Sequence, residues 1–281
     1  MRQTLRLGTI RGIPVGLHWS LLVVAGLLTV QLYGSLLPEL VPGRSSAAYA
    51  VAGAVTAIAF LSSILLHELG HALVAERLGV RVHRVTLWLL GGVAELAHEA
   101  PRPSTELRIA AAGPAVSVGL GLASGALAAA LDVAGAPDLV VASLAWVAII
   151  NLFLAAFNLL PAAPLDGGRI LRAALWRHHG DRVRATMTAS RAGQIVGWGL
   201  VGLGVFEILT STSSGLWTAL VGWFVLTAAR AERERAERQR PPPPSGPFGG
   251  TPWDPLQRPA GHPALAPVVV VARPRVVRRY E

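Results

Sequence analysis

Six times in its first 231 residues the chain runs apolar for long enough to cross a bilayer, at about 20 residues per crossing. The stretches are roughly 15–37, 47–72, 107–131, 139–160, 193–211 and 215–231. Segments of this kind can only be helices, because in lipid each backbone N–H and C=O must be satisfied within the segment. The expected fold is an all-α polytopic membrane protein with six transmembrane helices. Composition agrees: 52% of residues are hydrophobic and 15% charged, against about 25% charged in soluble domains. The first apolar run follows Arg2, Arg6 and Arg11. It is too long for a signal h-region and has no small-x-small cleavage site, so it reads as the first span.

All 25 basic residues are arginine, and the net charge is +9. In a soluble protein this would suggest nucleic acid, but here the arginines follow the spans. Those in or beside the segments before span 1, between 2 and 3, between 4 and 5, and after 6 number 24; the alternate segments hold only Arg44. By the positive-inside rule both termini are expected in the cytoplasm; the exclusive use of arginine points by codon usage to a GC-rich bacterial genome, and so to a bacterial plasma membrane. No nucleic-acid partner is expected; the bilayer itself is one. Cysteine is absent, which leaves His, Asp and Glu as candidate metal ligands.

Residues 80–99 are too short for a span. Val82, Val85, Leu87 and Leu89 alternate loosely and Gly91-Gly92 offers a turn, so a short β-hairpin at the membrane edge is expected. Residues 228–240 read as a charged helical extension, and the Pro/Gly-rich stretch from Pro241 as disordered. The expected organisation is a transmembrane core over 1–231 and a cytoplasmic extension and tail over 232–281.

The chemistry concentrates in two places. His67-Glu68-Leu69-Gly70-His71 has the H-E-x-x-H pattern, in which two imidazoles four residues apart share a helix face and reach one Zn²⁺. Glu68 does not share that face, so it is free to act as general base on water. Three ionisable residues inside an apolar helix are costly, which weakens a purely structural reading. A catalytic zinc takes three protein ligands and keeps one position open. The third candidate is Asp166, in the run Asn158-Leu-Leu-Pro-Ala-Ala-Pro-Leu-Asp-Gly-Gly-Arg169. Pro161 and Pro164 end the helix there, so Asp166 is expected on the unwound end of span 4. The competing structural role is capping of the following helix.

With these residues, and with Leu90-Gly-Gly-Val93 and Ala112-Gly-Pro114 in the same order, the chain over about residues 10–230 resembles the site-2 proteases. These are zinc intramembrane metalloproteases; the likeness is to the bacterial and archaeal six-span subgroup. The resemblance implies one zinc per chain held by His67, His71 and Asp166, with Glu68 catalytic. It places the family's asparagine at Asn158, whose amide would donate to the developing oxyanion; helix-end capping is the alternative there. Asn151 reads as a packing residue. The implied activity is endoproteolysis in or near the transmembrane segments of membrane-protein substrates, in regulated intramembrane proteolysis. Where the family often has an asparagine after Ala-Gly-Pro, this chain has Ser117, which leaves an amide-specific role there without its residue. The 50 residues from Glu232 do not suffice for the nucleotide-sensing CBS pair of many relatives. His18, His83, His98, His178, His179 and Glu207 read as interfacial or solvated groups. The rival function is a zinc-binding membrane scaffold or transporter without peptidase activity, which would not need a carboxylate placed like Glu68.

Overall fold

A computed structural model describes residues 5–88, 91–210 and 215–238. The tail expected to be disordered lies outside the described residues. The chain opens with a hairpin of strands β1 (Leu5–Ile10) and β2 (Ile13–Leu17). Its two-residue turn, Arg11-Gly12, has φ of 50° and 84°, the left-handed geometry that matches the twist of a tight hairpin. Helices α1 (Ser20–Leu40) and α2 (Ser46–Arg77) follow. Next come β3 (Val82–Trp88) and β4 (Gly91–Leu96). The remainder is helical: α3 (Pro103–Val133), α4 (Asp138–Asn158), α5 (Asp166–His179), α6 (Arg182–Leu209) and α7 (Gly215–Arg238).

Five of these helices, α1, α2, α3, α4 and α6, are long and apolar enough to cross a membrane. The sixth stretch does form a helix, α7, but it turns charged from Arg230 onward. The helices present apolar side chains outward, among them Leu27, Val55, Ile58, Leu122, Phe153 and Ile195, as a lipid-facing surface does. Between helices the contacts are small. Gly70 of α2 lies against Ala112 and Val116 of α3, and Gly121 of α3 against Ala148 and Leu152 of α4. Gly197 and Gly204 of α6 meet Gly222 and Gly215 of α7. Small residues let backbones approach closely, which substitutes for a hydrophobic driving force that lipid does not supply.

Two sequence expectations change. The first apolar run does not become helical at residue 15, because Ile13–Leu17 is β2, paired antiparallel with β1 and parallel with β3. Ile13 and Val15 are buried, and Ile13 packs with Ala72, Ala75, Val80, Val82, Val85 and Ile109. The helix starts only at Ser20. The expected hairpin over 80–99 forms as β3–β4, but within a four-stranded sheet of order β1-β2-β3-β4. Among the described residues β3 is thus paired on both sides, and the free edge beside it belongs to β4.

α2 is the element that carries the site. Ser45 caps its start by accepting from the Ala48 N–H at 3.2 Å. No proline interrupts its 32 residues, so the helix runs on for about 48 Å at 1.5 Å per residue. That exceeds the roughly 30 Å of bilayer hydrocarbon.

Candidate metal centre

Helical spacing alone brings His67 and His71 together. One turn apart on α2, they are 4% and 5% exposed, with ring centroids 4.9 Å apart. Their Nε2 atoms are 3.2 Å apart. Asp166 arrives from 95 residues further along. Its Oδ2 lies 3.2 Å from Nε2 of His67 and 3.1 Å from Nε2 of His71. Two imidazole nitrogens and one carboxylate oxygen thus converge on a single buried point, a grouping able to hold a metal ion.

Asp166 is placed by the way α4 stops and α5 starts. After Asn158 the chain turns through residues 159–165 and re-enters a helix at Asp166 itself. The sequence predicts a carboxylate on an unwound stretch; in the structure that carboxylate opens an amphipathic helix of 14 residues. The turn is compact. Ala162 N–H donates to Leu160 O and Leu165 N–H to Ala162 O. A Cβ on Gly167 would strike the Leu159 and Leu160 carbonyls, and one on Gly168 would strike Ala162 and Ala163. From the other side α6 contributes Gly193, flush against Ala163 O, while Ala189 O accepts from Ala163 N–H at 3.3 Å. Arg169 Nη1 stands 3.8 Å from Asp166 Oδ1.

The back wall of the site is one face of α3. Ile109 O accepts from Nδ1 of His71 at 2.6 Å. Gly113 lies so close that an added Cβ would fall on Nε2 of both histidines. Ser117 Oγ is 2.9 Å from Nδ1 of His67. These three residues are spaced by four, so they form one stripe on a helix.

Glu68 points away from that stripe, within electrostatic reach of His67, His71, Asp166 and Arg169. β4 covers it: Gly92 lies where any side chain would overlap the Glu68 side chain. Asn158 ends α4, and its Nδ2 donates to Leu154 O at 3.0 Å, a bond inside its own helix. Asn151 is fully buried and its Nδ2 donates to Val147 O at 2.8 Å. His18 hydrogen-bonds Ser20 beside Trp19, and His83, His98, His178 and His179 are exposed. None of them joins the cluster.

Sequence reasoning passed over a second buried charge group. Glu106 of α3 is 1% exposed. Arg172 of α5 donates from Nε to Glu106 Oε1 at 2.6 Å and from Nη1 to Glu232 Oε1 of α7 at 2.6 Å. A carboxylate in the first turn of a helix is common, so nothing local marked Glu106 as buried.

Residues 55–136 and 127–200 match the family profile for peptidase family M50. The chain belongs to this family, that of the site-2 proteases. Among solved structures it is similar to the site-2 protease from Methanocaldococcus jannaschii. That match has a TM-score of 0.57 at 32% identity and covers 82% of this chain and 94% of that one. Among curated proteins, Rip3 of Mycobacterium tuberculosis is 47% identical over 241 residues, 85% of this chain and 61% of that protein. The zinc metalloprotease MJ0392 of M. jannaschii is 34% identical over 217 residues, 75% of this chain and 58% of that protein. The chain thus spans about three fifths of the length of the curated relatives it matches.

For an M50 member the metal to test against these side chains is zinc. The donors suit it, since zinc favours imidazole nitrogen and carboxylate oxygen, with three protein ligands in catalytic sites. The space suits it as well: the bare Cα of Gly113 leaves both Nε2 atoms unobstructed.

Proposed function

We propose that this chain is an intramembrane zinc metalloendopeptidase that hydrolyses peptide bonds in or near the transmembrane segments of other membrane proteins. The observation that carries the reading is the buried convergence of His67, His71 and Asp166, with Glu68 adjacent in sequence and covered by β4. These three residues would hold one zinc ion per chain. Bound there, zinc supplies Lewis acidity toward the attacking water and the scissile carbonyl.

The chain's own groups do the rest. The Glu68 carboxylate takes the proton of the attacking water and returns it to the leaving amine. Asn158 serves as a donor to the oxyanion once its amide leaves Leu154 O. Gly92 keeps the backbone of β4 close to Glu68, and the free edge of β4 takes an unwound substrate segment by strand addition. That segment must lose its helical hydrogen bonds first, so substrates with Gly or Pro near the cut are favoured. Those residues disfavour helix by about 1 and 3 kcal/mol relative to Ala. The setting is a bacterial plasma membrane with α7 as the sixth span and both termini cytoplasmic. The physiological role is regulated intramembrane proteolysis that releases a cytoplasmic domain from a substrate with a short external stub. Residues 1–231 form the protease core, and 232–281 a cytoplasmic extension and tail.

The test is Glu68→Gln in the purified protein, with a helical membrane substrate in detergent or liposomes. Zinc content stays at one per chain and cleavage falls by about 10²–10⁴-fold, the usual contribution of general acid–base catalysis. His67→Ala loses both zinc and cleavage. Wild-type cleavage rates in Glu68→Gln would overturn the assignment.

A further inference from the structure

We infer that Ser117 is a positioning residue of the proposed metal centre, whose hydroxyl accepts from Nδ1–H of His67 and holds the ring in the orientation that presents Nε2 to a metal. The inference rests on the proposed zinc site.

A neutral imidazole carries a proton on one nitrogen and a lone pair on the other, and the second nitrogen's hydrogen bond decides which. The two histidines face different partners. Nδ1 of His71 meets Ile109 O at 2.6 Å. A carbonyl only accepts, so Nδ1 carries the proton and Nε2 keeps its lone pair. Among the described residues His67 has no such backbone partner. Its Nδ1 meets only the Ser117 hydroxyl, at 2.9 Å, among the described residues. A hydroxyl accepts as well as donates. When Nε2 of His67 binds a metal, Nδ1–H donates to Ser117 Oγ.

Burial makes that bond consequential. Ser117 is fully buried and His67 is 4% exposed, so no bulk water replaces the hydroxyl. Without it, the metal-binding tautomer would hold a buried N–H with no acceptor, a state that proteins avoid. Register supports the same reading. Ile109, Gly113 and Ser117 offer the two imidazoles a carbonyl, an open space and a hydroxyl at successive turns of one helix. Ser117 is the member of this set whose contribution comes from its side-chain chemistry.

The experiment uses the full chain in detergent, stripped of metal and titrated with zinc against a competing chelator. Ser117→Ala should weaken zinc binding by about 10–100-fold, the effect typical of losing an outer hydrogen bond to a metal-bound histidine. Ser117→Thr, which keeps a hydroxyl, or Ser117→Asn, which offers an amide oxygen, should restore affinity to within a few fold. Ser190→Ala is the control. Ser190 is equally buried, and its hydroxyl has no partner among the described residues, so its removal should leave zinc affinity unchanged. In zinc-loaded protein with ¹⁵N-labelled histidine, Ser117→Ala should also shift the His67 Nδ1–H proton resonance upfield, the mark of a lost hydrogen bond, a change that packing loss alone would not cause. Two results overturn the inference: Ser117→Ala binding zinc within threefold of wild type, or neither Thr nor Asn recovering affinity in folded protein. A wild-type chain that binds no zinc would overturn the proposed function as well.

Discussion

Gly113 is the residue at which helix propensity and the proposed metal binding are set against each other. In the interior of α3, alanine would favour the helix by about 1 kcal/mol over glycine. The same Cβ would occupy the space in front of both Nε2 atoms. Gly113→Ala is therefore expected to displace one or both buried imidazoles, an overpacking cost of about 1–3 kcal/mol that offsets the helix gain in thermal unfolding in detergent, while its zinc content by elemental analysis falls below about a tenth of the wild-type content. Full zinc occupancy in that variant would show that the two imidazoles do not converge as described. Gly92 is a similar case beside a different group, because there the side chain that must be accommodated is Glu68. At both positions the absence of a side chain is what the site requires.

Among the elements, α5 stands out because it carries Asp166 at one end and is held in place by charge. Arg172, six residues on, lies between Glu106 of α3 and Glu232 of α7. Glu106 is almost fully buried, and its Oε2 has no partner among the described residues, so the carboxylate depends on Arg172. Removing one member of a buried pair costs about 3–5 kcal/mol, whereas replacing both by apolar residues is often neutral. Arg172→Ala should accordingly lower the thermal unfolding midpoint strongly. The double substitution Glu106→Leu with Arg172→Leu should recover much of that loss. Glu232→Gln should have a small effect, since that side chain is 27% exposed and solvent-accessible pairs contribute little. Equal losses from Arg172→Ala and Glu232→Gln would contradict this ranking.

For the whole molecule, the ion pairs sort by end. Arg44, the one arginine that departs from the charge pattern, lies between α1 and α2 and pairs with Asp138, which opens α4, at 3.0 Å. The loops on that end are short and nearly free of cations. At the opposite end Arg182 pairs with Glu99, and Arg172 with Glu106 and Glu232. The proposed orientation puts this arginine-rich end in the cytoplasm. Reporter fusions after Gly43 and Ser213 should report the outside, and fusions after Arg102 and Arg182 the inside. A cytoplasmic reporter signal after Gly43 would reverse the assignment. The same orientation places Asp166, near the arginine-rich end of α4, within short reach of cytoplasmic water.

What the sequence determined is what depends on neighbours a few residues apart. Span length and apolarity give α2, α3 and α4 nearly to their ends, and the i, i+4 spacing of His67 and His71 gives a shared face on any helix. The Pro and Gly around Asp166 give a break in the chain there, although not that Asp166 itself begins a helix. Everything that needed distant segments to meet was decided by the tertiary structure. Hydropathy ran Val15–Leu17 into the first helix because it registers burial and not pairing; the parallel partner that makes it a strand lies 70 residues away, in β3. The family pattern left Ser117 unexplained, since 50 residues separate it from His67. Glu106 carried no local mark of burial; only the meeting of α3, α5 and α7 places it against Arg172, which also pairs with Glu232. Local spacing fixes which side chains share a face, but which faces touch depends on how the helices pack, and a single sequence carries no local signal for that.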